Sequence, residues 1–246
     1  LPIEVSAPER GEEEKKRPET PTLARIGSPL SKLAEAQELE RAEGRSAELE
    51  ALYRLVAGPG DKAIVVVGPS GVGKSTLLSE LVHRLRAEGS PKELRERPVY
   101  FADASRLIAG EGWFGDWQRQ CLDVVAECIA SEVIWMVGPL LPLLDAGKSI
   151  HSEQNVAQLL KPYLAGKRLT IIGECTDQEL AKLELRDASF ARTFIPFRLE
   201  EPSAEAGREI LERVAEALTA TDGVRLSSEA LTAIRELSRR YVSEGS

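Results

Sequence analysis

Cysteine and histidine are scarce in this chain: its 246 residues include three cysteines and two histidines. So few thiols exclude a disulfide scaffold, and the shortage of both residue types argues against a zinc site. Cys121 and Cys128 lie seven residues apart, which places them on one helix face, and we expect both to be small buried side chains. The first residues do not resemble a secretory signal, so the reducing cytoplasm is the expected location.

Long apolar runs and an excess of positive charge are also missing. The longest apolar stretch, 133–144, is interrupted by glycine and proline and is shorter than the roughly 18–20 residues of a membrane helix. Lys and Arg number 32 against 40 Asp and Glu, and this acidic balance argues against a dedicated nucleic-acid-binding protein. The hydrophobic fraction of 42% is nevertheless sufficient for a sizeable core. We therefore expect one large domain, or one domain with a small satellite, and no membrane insertion.

Composition divides the chain into three parts. Residues 1–27 include four prolines in the first 22 positions, mixed charges and few large apolar side chains, a pattern that predicts a disordered linker. Residues 28–200 carry the apolar segments of a folded domain. Residues 201–246 are helical in pattern, and we expect them to begin a small helical subdomain that is truncated here. Since the chain starts at Leu1 rather than Met, we also expect it to be a piece of a longer protein.

Short apolar strands alternate with amphipathic helices between residues 63 and 199. The strand at 63–67, AIVVV, is apolar and largely β-branched throughout, as is typical of a strand buried on both faces of a parallel sheet. The alternation predicts an α/β fold, a three-layer domain with a mostly parallel sheet. The predicted strands are 63–67, 99–102, 133–137, 169–173 and 194–199, and the predicted helices among them are 74–87, 116–131 and 154–165.

The segment that follows the first of these strands, Gly68-Pro69-Ser70-Gly71-Val72-Gly73-Lys74-Ser75, fits the phosphate-binding pattern G-x-x-x-x-G-K-[ST]. Its glycines let backbone N–H groups turn toward phosphate oxygens, and the next helix adds the positive end of its dipole. Lys74 is suited to the β- and γ-phosphates, and the Ser75 hydroxyl to Mg²⁺. The sequence therefore predicts that ATP or GTP binds here with Mg²⁺.

Hydrolysis requires acidic groups besides this loop. P-loop ATPases carry a carboxylate that holds the metal and a further group that orients the attacking water. The best candidate strand, 133–137, is followed by Gly138-Pro139-Leu140, and the nearest acid downstream is Asp145. The sequence thus predicts nucleotide binding more directly than nucleotide hydrolysis.

Residues 28–243 resemble the first ATPase module of the Clp-family protein-unfolding ATPases, within the AAA+ superfamily of P-loop NTPases. The matching segments occur in the family's order: Gly44-Arg45 with Glu48-Leu49, PVYFADASRLIAG at 98–110, WFGDW at 113–117, LLKPYLA at 159–165, IGECT at 172–176, DASFARTF at 187–194 and EPS at 201–203. The resemblance implies a homo-oligomer, a hexameric ring with ATP between its subunits. It also implies a polypeptide client or partner protein.

The resemblance further implies roles for individual residues. Thr176 would be the sensor-one residue near the γ-phosphate, and Arg192 would be an arginine finger that reaches the nucleotide of the neighbouring subunit. Trp113 and Phe114 would lie in a pore loop that grips a translocating chain. The residues expected to contact ATP, and through Ser75 its Mg²⁺, are Gly44, Arg45, Pro69, Ser70, Gly71, Val72, Gly73, Lys74, Ser75 and Thr76.

The chain departs from the family pattern where hydrolysis is concerned. The family's Asp-Glu pair, its Walker B acids, falls on Gly138-Pro139, and Thr193 replaces a second arginine. We therefore expect hydrolysis at this site to be impaired. Glu174 stands where the family usually has a small residue, at the carboxyl end of a predicted strand. One hypothesis is that Glu174 partly replaces the missing acid; the alternative is a surface or capping carboxylate.

Alternatives stay open at two levels. Among residues, Arg192 would otherwise form a structural ion pair, Arg45 would simply pair with Glu48, and Trp113 would be a core aromatic. For the whole protein, one hypothesis is an active protein-remodelling ATPase and the other is a non-hydrolysing scaffold stabilised by ATP. A small-molecule kinase also uses a P-loop, but it leaves the arginine-finger segment and the trailing helices unexplained.

Overall fold

The computed structural model describes residues 17–109, 116–150, 152–223 and 225–242. A six-stranded sheet lies at its centre, and all the strand pairs are parallel except the one formed by the first strand, at an edge. The order across the sheet is β1-β3-β4-β5-β2-β6. The strands are β1 (Ser28–Pro29), β2 (Ala63–Val67), β3 (Val99–Phe101), β4 (Ile134–Pro139), β5 (Thr170–Cys175) and β6 (Ile195–Arg198).

Helices cover both faces of this sheet, as the alternating sequence pattern predicts. They are α1 (Pro21–Ile26), α2 (Leu30–Glu35), α3 (Ser46–Ala57), α4 (Lys74–Arg86), α5 (Lys92–Arg95), α6 (Ala104–Ile108), α7 (Asp116–Ala130), α8 (Val156–Ala165), α9 (Asp177–Ala191), α10 (Ala204–Asp222) and α11 (Ser228–Val242). A short 3-10 turn spans Leu141–Leu144. The predicted α/β fold with a mostly parallel sheet is confirmed.

Two core layers follow from the alternation of side chains along β2. Ile64 and Val66 point into the layer that is covered by α3 and α4, whereas Val65 and Val67 point into the layer covered by α7, α8 and α9. All five residues of β2 are buried, as its uninterrupted apolar sequence predicts. Cys121 and Cys128 are buried in the second layer, and burial raises the pKa of the Cys121 thiol to about 12.

The strand order determines where the candidate site lies. The chain leaves β2 for β3, which lies on the far side of β4 and β5, and it later returns to place β5 directly beside β2. Because the strands are parallel, the carboxyl ends of β2, β4 and β5 meet at one edge of the sheet. Open α/β sheets bind ligands at this edge, next to the point where the strand order reverses.

The expected linker over 1–27 needs a correction in its last part. Residues 1–16 lie outside the described residues, but Pro21–Ile26 form α1, with Pro21 at the start of the helix and the side chain of Leu23 fully buried. The N–H groups of Thr22 and Leu23 donate to the carboxylate of Glu127 on α7, over 2.7 and 2.9 Å. The Leu23 side chain and the Glu127 carboxylate are therefore among the contacts that anchor this segment to the folded domain.

Two helices, α10 and α11, make up most of the last 46 residues, where the sequence predicts a helical subdomain. The boundary at residue 200 stays a prediction. No helix among the described residues combines the length and the apolar character required to cross a membrane.

Candidate nucleotide-binding site

The loop between β2 and α4 has the backbone shape of a phosphate cradle. Gly71 and Gly73 adopt positive φ angles of 76° and 94°, a backbone conformation that residues other than glycine rarely adopt. A Cβ added at either glycine would meet no atom within 4 Å, so the space beside these two residues is open. The loop leads directly into the first turn of α4, whose N–H groups and dipole favour an anion.

Lys74 and Gly68 hold the two ends of this loop together. The Lys74 ammonium donates to the carbonyl oxygens of Gly68 and Pro69, over 2.8 and 2.7 Å, and it therefore stays at the cradle. A Cβ on Gly68 would lie 2.2 Å from the carbonyl oxygen of Leu199, which follows β6. Glycine is required there because Leu199 passes close enough to donate its N–H to Val67, over 2.8 Å.

A carboxylate from β5 reaches the second functional side chain of the loop. The Ser75 hydroxyl lies 2.9 and 3.1 Å from the two carboxylate oxygens of Glu174 and donates to them. Glu174 is half-buried, and its position in the sheet is opposite Val66 on one side and Pro139 on the other. The structure thus brings Glu174 to the P-loop, at the serine that is suited to Mg²⁺.

β4 ends in Gly138 and Pro139, and neither residue carries a carboxylate. The strand continues through Gly138 and Pro139, beyond the predicted end at residue 137, with a register irregularity at Gly138. Leu140 follows, and its N–H donates to the backbone carbonyl oxygen of Glu174 in β5. A Cβ on Gly173 would lie 2.3 Å from the Leu140 side chain, so this close crossing requires a glycine.

The other acids near β4 are engaged elsewhere. Asp145 forms an ion pair with Arg186, and the hydrogen bond from this guanidinium lowers the pKa of Asp145. Asp103 lies beside Gly138, but its carboxylate accepts the N–H of Arg106 and so caps α6. Burial alone would raise the pKa of Asp103, but the hydrogen bonds at the start of α6 lower it. Asp103 is not among the predicted site residues, although an Asp directly after a predicted strand is a recognisable capping signal.

Arg45 links the P-loop to the polypeptide that leads into α10. Its guanidinium donates to the carbonyl oxygen of Val72, over 3.2 Å, and to that of Glu200, over 3.0 Å. The ion pair with Glu48 that was the structural alternative is also present, at 2.8 Å. The contacts with the P-loop and with Glu48 therefore coexist, and the expected contact of Arg45 with ATP stays a prediction.

Gly44 marks the place where α10 approaches the P-loop side of the domain. Its φ is +69°, and a Cβ there would lie 2.4 Å from Cγ1 of Ile210 on α10. Ile210 therefore packs against Gly44, the neighbour of Arg45, whose guanidinium contacts the P-loop at Val72. An aliphatic surface beside a phosphate cradle is suited to a flat base such as adenine.

Each of the remaining predicted site residues either forms no hydrogen bond or ion pair with the P-loop or lies outside the described residues. Thr176 caps α9 in a capping box: its hydroxyl accepts the N–H of Glu179, and its own backbone N–H donates to the Glu179 carboxylate. Arg192 follows the end of α9 with an exposed side chain, and it pairs with no carboxylate within the part of the chain that the structure describes. Trp113 and Phe114 lie outside the described residues. The roles of all four stay predictions.

The fold and the loop define a P-loop nucleotide-binding domain, and comparison with known proteins gives its family. The AAA ATPase domain family matches residues 43–241, which is most of the chain. The chain therefore belongs to the AAA ATPase domain family. AAA ATPase relatives imply ATP, rather than GTP, as the nucleotide.

Clp proteins are among the similar sequences. The chain is 31% identical over 224 residues to the chaperone protein ClpB of Nitratidesulfovibrio vulgaris, covering 90% of this chain and 26% of that protein. It is 29% identical over 229 residues to the ClpA homologue of the ATP-dependent Clp protease of Cyanidium caldarium, covering 93% and 27%. The chain thus spans about a quarter of the length of these relatives. It is a Clp-like AAA+ module, as the resemblance implies.

A solved structure shares the fold. A closed-state reconstruction of Hsp104 with ATPγS and FITC-casein superposes with a TM-score of 0.78 at 24% identity. The match covers 91% of this chain and 38% of the Hsp104 chain. At this identity the likeness shows the fold alone.

Proposed function

We propose that this chain is the ATP-binding module of a Clp-like protein-remodelling machine, and that it binds ATP with Mg²⁺ but hydrolyses it slowly or not at all. The observation that carries the proposal is the combination of a complete P-loop after β2 with a strand, β4, that lies on the far side of β5 and ends in Gly138-Pro139. The first feature supports binding, and the second removes the carboxylates at the position from which hydrolysis is usually assisted.

Binding is supported by the donor set at the cradle. The space beside Gly71 and Gly73 is open, the Lys74 ammonium is held by loop carbonyl oxygens, and Ser75 lies in the first turn of α4. Backbone N–H groups, an ammonium and a helix N-terminus together suit a polyphosphate. When bound, Mg²⁺ would neutralise phosphate charge, and the Ser75 hydroxyl is the protein oxygen placed to hold it.

Slow hydrolysis is supported by the absence of a suitably placed base at β4. A general base must lie within hydrogen-bond reach of the attacking water, and it contributes roughly 10²–10⁴-fold to the rate. Pro139 has no group that accepts a proton, and the Asp145 carboxylate is paired with Arg186. The proposed impairment therefore concerns water activation rather than nucleotide affinity.

Assembly and partners follow from the family. We propose a homo-oligomer, in hexameric form, in which Arg192 contacts the nucleotide of a neighbouring subunit and a polypeptide is the client. The exposed guanidinium of Arg192 supports this role, and Hsp104 is the relative whose structure includes casein. The proposed location is the cytoplasm, where the buried thiols of Cys121, Cys128 and Cys175 would remain reduced.

A second candidate function is a scaffold in which ATP holds subunits together without turnover. Gly138-Pro139 favours this candidate directly, since a site that binds but does not hydrolyse stays occupied. Ligand that binds only the folded or assembled state stabilises it by about 2.7 kcal/mol at 100 times Kd. The two candidates differ in whether turnover at this site contributes to the work of the machine.

The test is to measure ATP binding and ATP turnover on the same preparation of this chain, beside a Lys74→Ala variant. We expect the wild type to bind ATP·Mg²⁺, and Lys74→Ala to lose most of that affinity because the ammonium at the cradle is gone. We expect the turnover of the wild type to be no higher than that of Lys74→Ala.

Lys62→Ala is the matched control. Its ammonium also donates to loop carbonyls, those of Gly58, Pro59 and Gly60, but it does so before β2, away from the cradle. This variant should bind ATP as the wild type does. Clear turnover that is lost only in Lys74→Ala would overturn the proposed impairment, and a wild type that binds no ATP would overturn the function itself.

A further inference from the structure

The Ser75–Glu174 contact points to a relocated metal-positioning group. We propose that Glu174, from β5, is the carboxylate that orients Ser75 and Mg²⁺ at this site, in place of an acid at the end of β4. This inference rests on the proposed function, because it concerns Mg²⁺ bound together with ATP. It assigns Glu174 to holding the metal and not to activating water.

The sheet places Glu174 where such a group is needed. Glu174 pairs in register with Pro139, so the carboxylate belongs to the strand immediately beside the one that lacks it. β5 is also adjacent to β2, and Glu174 lies opposite Val66, near the start of the P-loop. Both carboxylate oxygens lie within 3.1 Å of the Ser75 hydroxyl. The carboxylate is therefore on β5, one strand away from β4, and it reaches the P-loop serine from there.

The hydrogen bond also orients the hydroxyl for metal binding. A serine hydroxyl has one proton to donate and two lone pairs to offer. Donation of the proton to Glu174 leaves the lone pairs of Oγ free for a cation. The nearby carboxylate adds negative charge, and oxygen ligands of this type are what Mg²⁺ prefers. Groups that orient a metal ligand in this way are part of a metal site even when they do not touch the metal.

Other carboxylates near the loop have competing partners. Asp177 pairs with Arg198 at 2.6 Å, and Glu179 caps α9 through Thr176. Glu174, in contrast, contacts the P-loop itself. This assignment also fits slow hydrolysis. Glu174 supplies the carboxylate that supports the metal, whereas Pro139 supplies no carboxylate to orient the attacking water.

The charge on Glu174 should affect the affinity for ATP in opposite directions with and without Mg²⁺. With Mg²⁺ present, the carboxylate should favour ATP; without it, the same carboxylate should repel the phosphates. The experiment is a titration of the full chain with a fluorescent ATP analogue, once in excess EDTA and once in excess MgCl₂, for wild type and Glu174→Gln. The measured quantity is the Kd in EDTA divided by the Kd in MgCl₂. This ratio reports how strongly binding depends on the metal, and it needs no turnover.

We expect Glu174→Gln to lower this ratio by about 10- to 100-fold, the usual loss in metal affinity when a group that supports a metal ligand is removed. The Kd of Glu174→Gln in EDTA should be equal to or lower than that of the wild type. Asp177→Asn, which removes the same charge three residues away, should leave the ratio unchanged. Electron paramagnetic resonance of bound Mn²⁺ should show a changed metal environment in Glu174→Gln alone.

Three results would overturn the proposal. A ratio that is unchanged in Glu174→Gln would mean that the carboxylate only hydrogen-bonds Ser75. Tighter binding both in EDTA and in MgCl₂ would mean that it only repels phosphate. An equal loss in Asp177→Asn would mean that the effect is one of general charge. If any of these occurs while the wild type still binds ATP, this inference fails and the proposed function stands.

Discussion

Pro139 is the residue whose substitution tests the proposed loss of hydrolysis most directly. Its side chain is exposed at the end of β4, beside Glu174 in register, and it has no proton acceptor. A glutamate there would bring a carboxylate to the edge where the strands meet the P-loop. Replacing an exposed proline at a strand end costs little folding stability when the backbone conformation is accessible to other residues.

We predict that Pro139→Glu raises ATP turnover by about tenfold or more, because a base contributes up to roughly 10²–10⁴-fold when it is well placed. The measurement is steady-state phosphate release at saturating ATP and Mg²⁺. Pro139→Gln, which has the same length without the charge, should not raise the rate. Equal rates for the two variants, with ATP binding intact, would show that the missing acid does not limit turnover.

At the scale of elements, α9 is the helix that connects the site to the surface. It begins at the Thr176 cap, directly after β5, and ends before Arg192. The helix is broken at Asp187, whose φ and ψ of −150° and 80° are not helical. The carboxylate of Asp187 accepts the N–H of Phe190 and pairs with Lys161 of α8, so it caps the last turn and ties the two helices together.

Asp187 should make the anchoring of this last turn sensitive to acid. Burial alone would raise the pKa of its carboxyl, but the bonds from Lys161, Ser189 and the Phe190 N–H outweigh it and lower the pKa to about 2. A folded-state pKa below the unfolded one stabilises the fold above the unfolded pKa, which is about 4 for Asp. That stabilisation is lost as the pH falls from about 4 to about 2.

We predict that Asp187→Asn lowers the free energy of unfolding by about 1–2 kcal/mol near neutral pH, since a partly exposed charge pair contributes less than the full shift in pKa. Urea unfolding of wild type and variant at a series of pH values measures this difference. The gap should close as the pH falls below about 4. A gap that is constant over the whole range would contradict an electrostatic role for Asp187.

The proposed ring makes its own prediction for the whole molecule. Arg192 follows the last turn of α9, exposed and without a carboxylate partner among the described residues, whereas Arg186 on the same helix pairs with Asp145. If Arg192 contacts a neighbouring subunit, its loss should affect assembly rather than the affinity of one chain for ATP.

We predict that Arg192→Ala raises the protein concentration needed for ATP-dependent assembly by about tenfold or more, since removing one partner of an interfacial charge contact typically costs about 2 kcal/mol or more. Sedimentation velocity with ATP and Mg²⁺ measures this concentration. Arg186→Ala, which loses a surface pair inside the chain, should assemble as the wild type does. Unaltered assembly of Arg192→Ala would remove the finger role, and a wild type that does not assemble with ATP would contradict the ring for this chain.

The sequence by itself was sufficient for the fold class and for the phosphate loop, because both depend on local patterns. Five consecutive apolar residues, 63–67, require burial on both sides, and a glycine-rich segment before Lys74 and Ser75 requires the backbone conformation that the structure shows. The absence of acids at Gly138-Pro139 is likewise a property of the sequence alone. Such features need no knowledge of which residues meet in space.

Tertiary structure decided the contacts between distant residues. Glu174 and Ser75 are 99 positions apart, and their hydrogen bond exists because the strand order puts β5 beside β2. A contact between distant residues also explains α1, in the segment that the sequence predicts to be a linker: Thr22 is held by Glu127 of α7, 105 positions away. A short segment or a single carboxylate has too few local interactions to define its own position, so its position depends on the residues that the fold brings next to it.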